Sequence, residues 1–106
     1  SKTRQPIYVV EYEMGEAYLS GRPLAEQPGI LEHAGYMDRL EAEGSLVMGG
    51  PCFEDLEALL VSGALLFLKV DSEETARRLV EQDPALAHGL MEIADIKPML
   101  VMIDPF

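Results

Sequence analysis

The chain has no tryptophan, one cysteine, two histidines and only eight lysines and arginines among 106 residues. Each scarcity excludes something. A single thiol, Cys52, builds neither an internal disulfide framework nor a cysteine-based zinc site. It fits a reducing compartment, and a cytoplasmic protein is expected. The histidines, His33 and His88, have no ligand spacing that pairs them, so no metal site is expected. Eight cations against nineteen carboxylates leave a formal charge of −11. Such a surface repels nucleic acid and anionic membranes, and its plainest meaning is solubility. No apolar run reaches the length of about 18 residues that a membrane-spanning helix needs. No charged-then-apolar segment of the secretory kind opens the chain. A dinucleotide glycine fingerprint, a P-loop and a serine or cysteine nucleophile motif are all missing, and "GGPC" at Gly49–Cys52 is too short to count. No cofactor is expected.

What is present is ordinary globular composition, with 48% hydrophobic residues. Residues 1–106 are the size of one domain, large enough to fold without disulfides or metals. "IYVVEYEM" (Ile7–Met14) is rich in β-branched and aromatic residues and suits a strand, with Tyr8, Val10, Tyr12 and Met14 on one face. Three glycines and two prolines make Gly15–Gly29 a loop with room for one helical turn, placed to border a pocket. Ile30, His33, Ala34, Met37 and Leu40 then form a helical stripe to about Glu43, with Gly44 as the stop. "SLVMGG" (Ser45–Gly50) reads as a short strand ended by Pro51. "FEDLEALL" fits a helical turn or an excursion between strands. "GALLFLKV" (Gly63–Val70) is apolar on both faces and reads as a central strand. Asp71 is the expected cap of a second helix running to about Asp83, with acids in its first turn. Pro84–His88 suits one further turn, stopped by Gly89. The last strand is expected within Met91–Ile103, where Pro98 demands an edge, a bulge or a break.

The order β-α-β-β-α-β is the ferredoxin-like α+β arrangement, a four-stranded antiparallel sheet with two helices on one face. Two helices cover one face only. Leu65 and Phe67 point to the other, and the last strand is apolar on both sides. An open apolar face of that size needs a partner, so a homodimer packed sheet to sheet, a dimeric α/β barrel, is expected. A helical excursion at residues 53–60 is the rival cover.

Two polar residues sit on apolar stripes. His33 alone reads more readily as a packed core residue than as a functional one. Asp83 continues the stripe of Ala76, Leu79 and Val80, where a carboxylate is expensive unless paired. An Asp before Pro equally suits a turn that points to water. Together the two say more. Antiparallel helices on one sheet face bring the start of the first near the end of the second. An Asp83–His33 pair is therefore expected, the carboxylate orienting the ring and favouring the imidazolium, which is general acid–base hardware.

These segments are similar to the YCII-related family of dimeric α/β-barrel proteins. The similarity lies in "IYVVEYE", Arg22-Pro23, "HAGYMDRL" with His33 and Tyr36, "EGSLVMGGP", Ser62-Gly63 before "ALLFLKV", "DSEETARRLVEQDP", and Lys97-Pro98. The resemblance implies a ferredoxin-like fold, a dimer and a His–Asp pair in a cleft, carried here by His33 and Asp83. Arg22, Tyr36, Ser62 and Gly63, which lie in these segments, are the expected substrate contacts. Members of this and neighbouring families that are enzymes act on small cyclic or aromatic compounds by dehydrochlorination, isomerisation or cofactor-free oxygenation. This chain departs from the simplest members in its long Gly15–Gly29 loop and its apolar residues 52–61. Within the enzyme reading His33 moves a proton, Asp83 holds its tautomer, and Arg22 suits a substrate carboxylate or oxyanion; a solvated loop charge is its plainer reading. The same cleft would equally serve a non-catalytic module binding an unknown small molecule, or a pure oligomerisation domain.

Overall fold

The computed structural model describes residues 5–104. Four strands form one antiparallel sheet in the order β2-β3-β1-β4. They are β1 (Ile7–Met14), β2 (Leu46–Asp55), β3 (Leu60–Leu68) and β4 (Met91–Met99). Helix α1 (Ile30–Ala42) joins β1 to β2, while α2 (Glu73–Glu81) and the single turn α3 (Pro84–Ala87) join β3 to β4. This is the expected ferredoxin-like α+β fold.

Period-two alternation in β1 decides which face is dry. Tyr8, Val10 and Tyr12 are buried, whereas Glu11 and Glu13 on the opposite face are exposed. Leu66 and Leu68 of β3 lie on the same dry side, paired across the ladder with Val10 and Tyr8. Ala76 and Val80 of α2, Ala85 and Leu90 close the core over them. Among these strands β1 and β3 are central, and they supply most of the buried apolar sheet surface.

Several boundaries differ from those expected. Pro51 does not end β2; the strand continues to Asp55. It lies at the sheet edge, where a missing N–H breaks no essential ladder bond. Pro98 is tolerated on the opposite edge strand for the same reason, paired with Tyr8. Residues 53–60 are no helix over the outer face. They complete a β2–β3 hairpin whose turn is held by the Asp55 carboxylate accepting from Ala58 N at 3.1 Å. The α2 cap falls one residue later than Asp71: the Ser72 hydroxyl accepts from Thr75 N at 3.1 Å, and Asp71 accepts from the Thr75 hydroxyl at 2.8 Å. The last strand ends at Met99, so Leu100–Ile103 add nothing to the sheet. Gly44, at φ +84°, ends α1 as the left-handed C′ residue.

Leu68 is fully buried between the sheet and its helices. Leu68→Ala should lower unfolding free energy by about 2–5 kcal/mol, read from urea titration; a loss under about 1 kcal/mol would place this strand outside the core.

Candidate functional site

Asp83 is not the last residue of α2. The helix stops at Glu81, and Asp83 adopts an extended backbone (φ −66°, ψ 125°) as the cap of α3. Pro84, at the first position of α3, enforces this, because the residue before proline is pushed out of the helical region. The change of backbone turns the side chain inward. Its carboxylate is 1% exposed and accepts from Ala85 N at 2.9 Å through Oδ1.

Two further groups converge on it. His33 Nδ1 lies 2.9 Å from Oδ1 and 2.8 Å from Oδ2. The Tyr12 hydroxyl donates to Oδ2 at 2.9 Å. An ionised carboxylate only accepts, so Nδ1 carries a proton and donates it to Asp83, and Nε2 is the ring nitrogen turned away from that carboxylate. The expected pair is thus present, and a third member, Tyr12, completes it. A bulge in the β1–β4 pairing falls between Glu11 and Tyr12, beside the residue whose hydroxyl must be aimed. Gly63 supports the same spot from β3. A Cβ there would stand 2.2 Å from the Tyr12 carbonyl oxygen, so only glycine lets the strands approach. Burial, the nearby Asp83 charge and the hydrogen bond to Asp83 together push the Tyr12 phenol far above its ordinary value of 10.0.

His33 lines a cavity of about 300 Å³ between α1, β2 and the sheet, at the lower end of small-molecule sites. Ile30, Ala34 and Met37 form the helical wall, while Leu46, Gly49 and Pro51 form the strand wall. Nδ1 is held by Asp83, so Nε2 is the ring nitrogen left for a ligand. The long loop is bound down by Gln27, which is 3% exposed. Its Oε1 accepts from Leu19 N at 2.8 Å, and its Nε2 donates to the Leu19 and Arg22 carbonyls at 2.9 and 3.0 Å. That fixes the 3-10 turn Leu24–Glu26 and sets Leu24 on the cavity.

The other expected contacts lie elsewhere. Arg22 is exposed and paired with Glu26 at 3.0 Å. Tyr36 is buried, its hydroxyl donating to the Leu79 carbonyl at 2.6 Å, with Arg39 stacked 4.9 Å from the ring centroid. Burial raises the Tyr36 phenol too. Ser62 and Gly63 border a separate, smaller recess with Glu11 and Cys52. His88 is exposed, and no cluster suited to a metal ion occurs among the described residues. No helix among them is long and apolar enough to cross a membrane. Gln27 has no role legible in the sequence, and Tyr12, which shares a strand face with Tyr8, reads there as packing rather than as reaching the cleft, whereas its hydroxyl bonds Asp83. A tyrosine on the dry face of a strand was the available signal for Tyr12, since a buried phenol needs a partner.

The YCII-related domain model matches residues 8–100, and the chain belongs to that family. A solved structure with the same fold is 5-chloro-2-hydroxyhydroquinone dehydrochlorinase from Burkholderia phenoliruptrix AC1100, in complex with 2,5-dihydroxybenzoquinone. The two chains are 22% identical with a TM-score of 0.53, over 87% of this chain and 90% of that one. No curated protein matches the sequence.

The Tyr12 proton has a consequence for stability. The unfolded chain sheds it near pH 10, while the folded chain keeps it to higher pH. The folded state therefore binds the extra proton, so stability is complete below that pH and falls as pH rises above it. Tyr12→Phe should cost about 1 kcal/mol at neutral pH. Between about pH 9 and 11 its urea midpoint should fall less than that of the parent; equal falls would show that the phenol ionises as freely folded as unfolded.

Proposed function

We propose that this protein is a small-molecule enzyme that uses His33 and Asp83 for cofactor-free proton transfer on a small cyclic or aromatic compound. One observation carries the reading: a ring held at Nδ1 by a fully buried carboxylate, with Nε2 left to an apolar cavity. Nε2 takes a proton from an acidic carbon or hydroxyl of the bound ring, and the Asp83 charge stabilises the imidazolium that forms. In an isomerisation the proton returns at another carbon of the same ligand. In an elimination the electron pair of the broken C–H bond forms the new double bond, and the leaving group departs with its own bonding pair. The likeness in fold to a dehydrochlorinase is consistent with the second course. Family membership and the size of the cavity support the ligand class.

A panel of halogenated hydroquinones and lactones tests this. Turnover of at least one member is expected, with His33→Ala reducing kcat by about 10²–10⁴-fold. Saturable binding without turnover of any member would refute catalysis and leave a ligand-binding module.

In the same reading two copies pack through the outer sheet face. Phe67 and Leu65 lie there only partly covered, beside Val9 and an exposed Met48, while the helices occupy the other face. Sedimentation equilibrium should give twice the chain mass, and Phe67→Glu should give a folded monomer. A wild-type monomer would remove the dimer from the proposal.

A further inference from the structure

Two side chains lining the cavity are ionisable, His33 and Asp38, and neither is a fixed cation. The arginines nearest in sequence are engaged elsewhere: Arg22 with Glu26, and Arg39 over the Tyr36 ring, its Nε 3.8 Å from Glu43. Asp38 is exposed at the cavity, and its carboxylate makes no hydrogen bond or ion pair with another described residue. It follows His33 by five residues, about 7.5 Å further along the helix axis. The two also stand about 140° apart around that axis, so they flank the cavity wall from its two sides, with Ala34 and Met37 between them. The opposite wall suits a flat ligand. Gly49 presents bare backbone, and a Cβ there would crowd the Leu65 carbonyl and the Leu66 side chain at 3.1 Å. Beside it Pro51 offers a rigid ring face.

We propose that Asp38 determines specificity in this cavity, selecting an uncharged planar ring with a hydrogen-bond donor opposite the group facing His33, and rejecting carboxylates. The inference rests on the proposed use of the cavity and adds the ligand's polarity to it. A carboxylate accepts hydrogen bonds and offers none. A hydroxyl at the far end of the ring therefore gains a partner, whereas a ligand carboxylate meets a like charge with no cation to offset it. An Arg22 contact with a ligand carboxylate, as its guanidinium chemistry suggests, would have favoured the opposite choice.

Three probes differing only at the far position decide this: hydroquinone, phenol and 4-hydroxybenzoate, titrated against the full chain while the His33 ring and Asp38 amide resonances are followed by NMR. Hydroquinone should bind tightest. Phenol should be weaker by about two- to tenfold, the worth of one hydrogen bond, and 4-hydroxybenzoate weaker than phenol. Asp38→Ala should abolish the advantage of hydroquinone over phenol. Asp38→Asn removes the charge but keeps an amide, and should raise the affinity for 4-hydroxybenzoate to that of phenol or better. Asp38 is exposed, so both variants should fold as the parent does. A parent protein that binds 4-hydroxybenzoate as tightly as hydroquinone would overturn the inference. So would an unchanged order in Asp38→Ala, or no binding of any probe. The His33 resonances separate this failure from that of the acid–base reading. Probes that move them without depending on Asp38 sink the specificity role alone; probes that depend on Asp38 but leave the ring unmoved sink the acid–base role alone.

Discussion

The carboxylate of Asp83 is the constraint around which this molecule is arranged. A buried charge is tolerated only where donors surround it, and here each donor comes from a different element. Tyr12 reaches from the central strand β1, His33 from α1, and the amide of Ala85 from the turn that follows. Helix, sheet and turn are thereby tied at one point. Pro84 makes the arrangement possible, since it ends the run of α2 and swings the residue before it out of helical geometry. Had the helix continued, the same carboxylate would have sat at a helix C-terminus, where its charge is disfavoured.

Much of the fold can be read from the pattern of residues. The alternation in β1 and the punctuation at Gly44, Pro84 and Gly89 each specify local structure, and the structure follows them; in α1 the buried residues are Leu40 of the stripe and Tyr36 beside it, while Ala34 is exposed. Pairing of His33 with Asp83 was legible because two polar anomalies on two apolar stripes have one economical explanation. Other features were not legible, for physical reasons. Pro51 ends a strand only if its N–H is needed, and that depends on whether the strand is an edge. The choice between Asp71 and Ser72 as a cap depends on a single residue's backbone angles. Tyr12 differs from a packing tyrosine only by what lies above it on the next layer.

Contacts beyond the pair were the least legible part. Arg22 and Tyr36 carry suitable chemistry, but each finds a nearer partner: Glu26 four residues on, and a carbonyl in the last turn of α2. Sequence spacing does not reveal such competition. Gly63 has a different story again, for its importance lies in the atoms it lacks beside the Tyr12 backbone.

The hairpin that completes β2 gives the site a divided construction. Asp83 and the groups hydrogen-bonded to it are rooted in β1, α1 and the segment between α2 and β4. Much of the opposing wall, Gly49 to Pro51, belongs to a strand with a neighbour on one side only. Substitutions or small insertions in that wall need not disturb the buried carboxylate. The shape of the cavity is thus open to revision while the buried carboxylate and its donors stay fixed, which makes this architecture an evolvable one: editing a single edge strand reshapes the chamber without touching the core.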